Sequence, residues 1–188
     1  MKKIIFISMI MLLLFGITGC NKEDKKTENG ATLSDDGRYY GGYESAEMGE
    51  TLTNSFFSYE VMEAKIYDEY TFGKDTYAPR DGEVFIVCKI KITNVYGEEL
   101  PMSIGDIKMY TDKDTETYYY GYGDTDIGDA EFFTDKFQLT KDESITKYIL
   151  YSVPETEKYS IKYQEKWEDN FVGNTYEIFF TPEDTRKE

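Results

Sequence analysis

The chain has 188 residues, and 40% of them are aliphatic, aromatic or Cys, enough for one core but not two. Asp and Glu outnumber Lys and Arg by 37 to 21, giving a net charge of −16, which excludes binding to a phosphate backbone by clustered cations. The lack of His, with Cys20 and Cys88 as the only two Cys, excludes His-assisted nucleophiles, a disulfide framework and a thiolate zinc site.

Lys2 and Lys3 precede an apolar run over residues 4–15 that only Ser8 interrupts. The run is too short for a mature bilayer span, which needs about 20 residues, and reads as an export signal. It ends in Ile17-Thr18-Gly19-Cys20. This tetrapeptide resembles the bacterial lipobox, with Ile where Leu is usual and Thr where Ala or Ser is usual. The resemblance implies cleavage between Gly19 and Cys20 and a diacylglycerol thioether on Cys20. The expected location is the outer face of a cytoplasmic membrane, at a Gram-positive cell surface, held there by acyl chains.

Residues 20–50 read as the lipidated Cys and a flexible linker. They are rich in charge and Gly, and Leu33 and Met48 are their only large aliphatics. Tyr39, Tyr40 and Tyr43 are the apolar points in that stretch. From Thr51 the pattern changes to period two. Phe57, Tyr59 and Val61 share one face, and Ala64 and Ile66 rejoin it after a one-residue slip, as at a bulge. The cleanest strand is 84–92: Val84, Ile86, Cys88, Ile90 and Ile92 form a core face, and Phe85 and Val87 share the other face with Lys89 and Lys91. Short strands follow at 100–104, 107–110 and 116–120, then stronger ones at 144–153, 159–163 and 176–180. One helical turn fits 125–136. Seven to nine short strands predict an all-β, two-sheet sandwich over 51–181, with Ile149 and Ile161 also in its core and a charged tail at 182–188.

Three segments carry a wider similarity. They are Gly82-Glu83-Val84 running on through Thr93-Asn94, Leu139-Thr140-Lys141-Asp142-Glu143 before a strand, and Tyr148-Ile149-Leu150-Tyr151-Ser152-Val153-Pro154. Together they resemble DUF4352, the telokin-like family. Lys141 and Asp142 stand where that family has Pro and Gly. The resemblance implies an immunoglobulin-like β-sandwich in an exported bacterial lipoprotein. It brings no active-site residues.

The candidate sites are few. Tyr118, Tyr119, Tyr120 and Tyr122 alternate around Gly121, either as sandwich packing or as a platform for a protein or glycan partner. Asp112, Asp114, Asp124, Asp126 and Asp129 offer oxygens for Ca²⁺, although Thr117 and Gly123 break an EF-hand pattern; solvated turns explain the same acids. Trp167 reads as a loop anchor and Cys88 as a small buried hydrophobe. No other cofactor and no nucleic-acid partner are expected. The sequence therefore reads as a non-enzymatic binding module tethered to the membrane. The alternatives are a structural or accessory envelope lipoprotein, or a carboxylate-dependent hydrolase.

Overall fold

The structure, a computed structural model, describes residues 29–112, 116–117 and 131–187. The chain begins with β1 (Thr32–Leu33), β2 (Tyr39–Tyr40), β3 (Tyr43–Glu47), β4 (Thr51–Thr53) and β5 (Phe57–Tyr67). The hairpin of β6 (Tyr70–Phe72) and β7 (Asp75–Tyr77) leads into the longest strand, β8 (Glu83–Asn94). β9 (Leu100–Ser103), a 3-10 turn at Ile104–Asp106, β10 (Lys108–Thr111) and β11 (Glu116–Thr117) follow. β12 (Lys136–Leu139), β13 (Ser144–Pro154), β14 (Tyr159–Lys166) and β15 (Val172–Phe180) come next, and β16 (Glu183–Asp184) precedes a last 3-10 turn at Thr185–Lys187.

The strands form an all-β sandwich. One sheet runs β11-β10-β14-β15-β3. The other runs β13-β8-β5-β16, with β4 also paired to β5. Alternation in β8 decides what lies between them. Val84, Ile86, Cys88, Ile90 and Ile92 point inward, and each is at most 5% exposed. They meet Ile161 and Ile178 of the opposite sheet in one apolar cluster. Ile149, also expected in the core, is there too. Desolvation in that cluster pushes the Cys88 thiol well above its usual pKa, which favours the neutral thiol over the reactive thiolate.

The slip in β5 is a bulge at Met62. Val61 pairs with Ile90 and Glu63 with Lys89, leaving Met62 as the extra residue. Val61 and Ala64 are three apart, yet the bulge buries both, and Met62 faces water. On the outer face of that sheet, Phe85 and Val87 of β8 and Leu150 of β13 are covered by Phe72 of the β6–β7 hairpin and flanked by Tyr67, Tyr70 and Phe132. Beyond that cover Lys89 and Lys91 reach solvent, as the alternation requires. At the turn before β13, Asp142 takes a φ of 61°, a left-handed conformation that Gly adopts most readily.

Two boundaries differ from the sequence reading. Residues 29–50 are part of the fold and not a linker: β3 lies parallel to β15, from Thr175 opposite Tyr43 to Phe179 opposite Glu47. Their polar composition suits a strand at a sheet edge, where one face is wet. Of the expected tail at 182–188, residues 182–187 are described and are tied to the sandwich. β16 pairs with β5, Thr185 Oγ1 donates to the Ile66 carbonyl at 2.6 Å, and Arg186 ion-pairs with Asp68, Glu155 and Asp184.

Candidate functional site

Four loops converge at one end of the sandwich. The β4–β5 turn is set by Asn54, whose Oδ1 accepts from the backbone N–H groups of Phe56 (2.8 Å) and Phe57 (3.0 Å). This Asx turn projects Phe56 outward. The Phe56 carbonyl accepts from Val95 N–H at 3.0 Å, which docks the β8–β9 loop beside it.

That second loop is organised by Asn94, which is 1% exposed. Its Nδ2 donates to the carbonyls of Glu98 (2.6 Å), Leu139 (3.2 Å) and Thr140 (3.0 Å), and its Oδ1 accepts from Tyr96 N–H (2.9 Å). One buried amide thus holds the loop that carries Tyr96. Asn94→Asp would aim a carboxylate at three carbonyls. It is expected to cost about 3 kcal/mol in urea unfolding, from unmet buried acceptors and repulsion. A loss within about 0.5 kcal/mol, the size of an ordinary surface change, would show that the loop does not depend on this amide.

The third loop is the β14–β15 hairpin tip, Trp167 to Phe171. Trp167 N–H donates to the Phe171 carbonyl (3.0 Å), Asn170 N–H donates to the Trp167 carbonyl (2.9 Å), and Asn170 has a φ of 65°. Asn tolerates that left-handed position better than most residues. The tip seats the Trp167 ring against Phe56, with centroids 4.6 Å apart, and Phe56 in turn meets Tyr96 at 5.5 Å.

The fourth loop, between β1 and β2, supplies Arg38. Its guanidinium makes a bidentate pair with Asp169 (2.9 and 2.7 Å) and also bonds Asp36. It lies over the rings of Phe171 (4.0 Å) and Trp167 (5.3 Å). The Arg38 bonds, helped by Ser34 at Asp36, hold the carboxyls of Asp36 and Asp169 below the usual carboxylate range. This clip fastens the first hairpin to the hairpin tip.

Beneath the loops lies a buried polar floor. Glu165 is 2% exposed; its Oε1 accepts from Ser55 N–H (2.8 Å) and the Tyr176 hydroxyl (3.4 Å), and its Oε2 accepts from Asn174 N–H (2.9 Å). Asn174 Oδ1 accepts from Gly42 N–H at 2.9 Å. Burial is the main cause that pushes the Tyr176 hydroxyl up to about 12, so it remains a donor across the physiological range. Asn54 Nδ2 and Trp167 Nε1 are buried nearby with no hydrogen-bond partner among the described residues.

Two clefts open on either side of Trp167. The first, about 760 Å³, has Asn29, Glu44, Asn54 and Asn174 among its walls. The second, about 590 Å³, is floored by Phe57, Leu100, Met102 and Tyr163 and walled by Phe56, Tyr96 and Trp167. Both fall in the size range of small-ligand sites.

Trp167 anchors its loop, as the sequence reading held, but its ring is only half-buried and also lines both clefts. Asp112 is exposed just past β10. Cys20, Gly19, Asp114, Asp124, Asp126, Asp129, Tyr118, Tyr119, Tyr120 and Tyr122 lie outside the described residues, as do 125–130 of the expected 125–136 turn; 131–136 are described and hold no helical turn. Among the described residues no group of three or more Cys, Asp or Glu is arranged to hold a metal ion. Sequence reasoning missed Arg38, Asn54, Asn94 and Glu165. The usable signals were Gly173 inside a strand, which marks a close approach, and the Asn that ends the β8 motif.

The fold has counterparts among solved structures. The chain is similar to the ycdA protein of Bacillus subtilis, a candidate lipoprotein, with a TM-score of 0.55 and 13% identity over 75% of this chain and 40% of that one. It thus spans two fifths of that protein's length. A second match, the yjhA protein of Bacillus subtilis, has a TM-score of 0.50 and 12% identity over 72% of this chain and 97% of that one. An uncharacterized β-sandwich protein of Clostridium difficile gives a TM-score of 0.43 and 12% identity over 73% and 94% of the two chains. No family model and no curated protein sequence matches the chain. At these identities the likeness establishes the sandwich and nothing finer.

Proposed function

We propose that this chain is a lipid-anchored lipoprotein on the outer face of the cytoplasmic membrane, akin to the DUF4352 group, and that its sandwich is a binding module rather than an enzyme. The observation that carries the binding role is the meeting of four loops around Trp167. A rigid scaffold that places exposed rings and carboxylates on its loops is the usual architecture of a recognition site. The anchor rests on Lys2, Lys3, the apolar run and Ile17-Thr18-Gly19-Cys20. The lipoprotein description of ycdA supports the same reading. The sequence has no His, the side chain most often used for proton transfer in catalysis.

Two measurements test the proposal separately. Cys20→Ala is expected to leave the protein unprocessed or released from the membrane fraction. A Cys20→Ala protein processed and held like wild type removes the anchor. For binding, Trp167 is the chain's single Trp, so emission excited to the red of Tyr absorption reports on this site. Titration with a lysine-rich peptide, a glutamate-rich peptide and a trimer of N-acetylglucosamine is expected to give a saturable change with at least one of them. Silence with all three removes the binding role at these clefts and leaves the accessory role.

A further inference from the structure

We propose that the second cleft takes the protonated amine of a lysine side chain, presented by an extended, basic peptide segment of a partner protein. The proposal deepens the binding-module reading and rests on it.

The cleft has the two chemistries that an alkylammonium group requires. Its floor is apolar: Phe57, Leu100, Met102 and Tyr163 are each at most 9% exposed, and they offer a lining for a four-carbon stem. Its wall is aromatic. Phe56 touches both Tyr96 and Trp167, and Tyr96 is 45% exposed, so ring faces remain accessible to a cation. The same pairing already occurs within this fold, where Lys162 Nζ lies 4.2 Å from the Tyr110 ring centroid.

The charge at the mouth sets the sign of the ligand. Glu98, Glu99, Asp106, Glu168 and Asp169 stand around the cleft, with Arg38 and Lys166 as its cations. Arg38 is taken up by Asp36 and Asp169. Within the lining of this cleft four carboxylates then stand against one further cation, Lys166; Asp106 also borders Lys108, Lys136 and Lys162 in the adjoining depressions, and Glu98, Asp106 and Glu168 are all exposed. Such a rim draws cations in and turns anions away. A neutral sugar would gain the rings but leave the rim charge without a counterpart.

The shape favours a peptide over a free amine. From Pro101, Met102 and Asp106 the depression continues into a further cleft of about 580 Å³ that reaches Lys136 and Phe137 on β12. A groove running across two loops and a strand pair suits an extended chain with more than one contact.

The test uses the full chain and Trp167 emission. The probes are acetyl-Lys-Gly-Lys-Gly-Lys-amide, the same peptide with every lysine Nε-acetylated, spermidine, and a trimer of N-acetylglucosamine. The lysine peptide is expected to saturate the signal, to bind about tenfold more tightly than its acetylated form, and to weaken several-fold as salt rises from about 50 to about 500 mM. Tyr96→Ala, and separately Glu98→Gln with Glu168→Gln, are expected to weaken it about fivefold while the melting temperature holds, since these side chains are exposed. Equal binding of the acetylated peptide overturns cation recognition. Equal binding of spermidine overturns the peptide source. Saturation by the sugar trimer alone overturns this proposal but keeps the binding module, whereas silence with every probe removes both.

Discussion

A chain truncated to begin at Thr51 should lose about 3–5 kcal/mol of stability, taking the five paired residues of β3 on β15 at a net ~1 kcal/mol per hydrogen bond. It should also associate in solution. The reason is the edge it uncovers. β3 covers the outer edge of β15, and without it a nine-residue strand presents unpaired N–H and C=O groups to other molecules. More is lost than the ladder. The Tyr43 hydroxyl donates to Glu177 Oε2 at 2.7 Å, Met48 N–H to the Phe179 carbonyl at 3.0 Å, and Gly49 N–H to the Val61 carbonyl at 2.9 Å. The Gly42 N–H that donates to Asn174 Oδ1 at 2.9 Å is removed as well.

The Arg38 clip gives this segment a pH dependence of known sign. Asp36 and Asp169 are held below the unfolded carboxylate value of about 3.9, so their contribution is complete above that value and fades as pH falls through the folded ones. Amide exchange should therefore loosen β1 and β2 below about pH 4, ahead of β8. A chain from Thr51 that melts within about 1 kcal/mol of the full chain, the size of a routine single substitution, would restore the tether reading of residues 29–50.

That misreading has a physical cause. β3 reads Tyr-Glu-Ser-Ala-Glu, and only Ala46 packs on the core. Composition cannot distinguish such a strand from a linker, because its stability comes from backbone pairing with residues more than a hundred positions away. β8 and β13 are legible for the opposite reason. Each strand runs for more than ten residues rich in β-formers, and the cross-strand pairs Cys88–Ile149 and Ile86–Tyr151 fix one register. The β6–β7 hairpin was half legible: Phe85 and Val87 on the outer face of β8 demand a cover, but nothing nearby says which segment provides it. The loops around Trp167 were the least legible. Phe56, Tyr96 and Trp167 are far apart in sequence, and buried Asn side chains join the loops to the body. Glu165 lies in Gln-Glu-Lys and reads as a solvated residue, because its donors come from Ser55 and Asn174 on other strands and turns.

Glu165→Ala should therefore cost about 3 kcal/mol or more, although the sequence marks it as a surface change. It strands the buried Asn174 N–H and the part-buried Ser55 N–H, and an unmet buried donor costs about 1–3 kcal/mol. Glu165→Gln should fall between, since its amide oxygen can serve one donor and its NH₂ cannot accept from the other. The geometry adds a second arm. A Cβ on Gly173 would meet Glu165 Oε2 at 2.3 Å and its Cβ at 2.9 Å, and a side chain held by three donors cannot swing away. Gly173→Ala should then be as damaging as Glu165→Ala. The double variant should be less destabilised than the sum of the two by at least about 1 kcal/mol, because removing the carboxylate empties the space the new methyl needs. Emission from Trp167 should shift in Glu165→Ala, since Ser55 N–H loses the bond that holds the turn beneath Phe56. Urea unfolding of the four proteins reads the cycle. Additive losses would mean that Gly173 and Glu165 act independently, and that the floor of the clefts is not built on their contact.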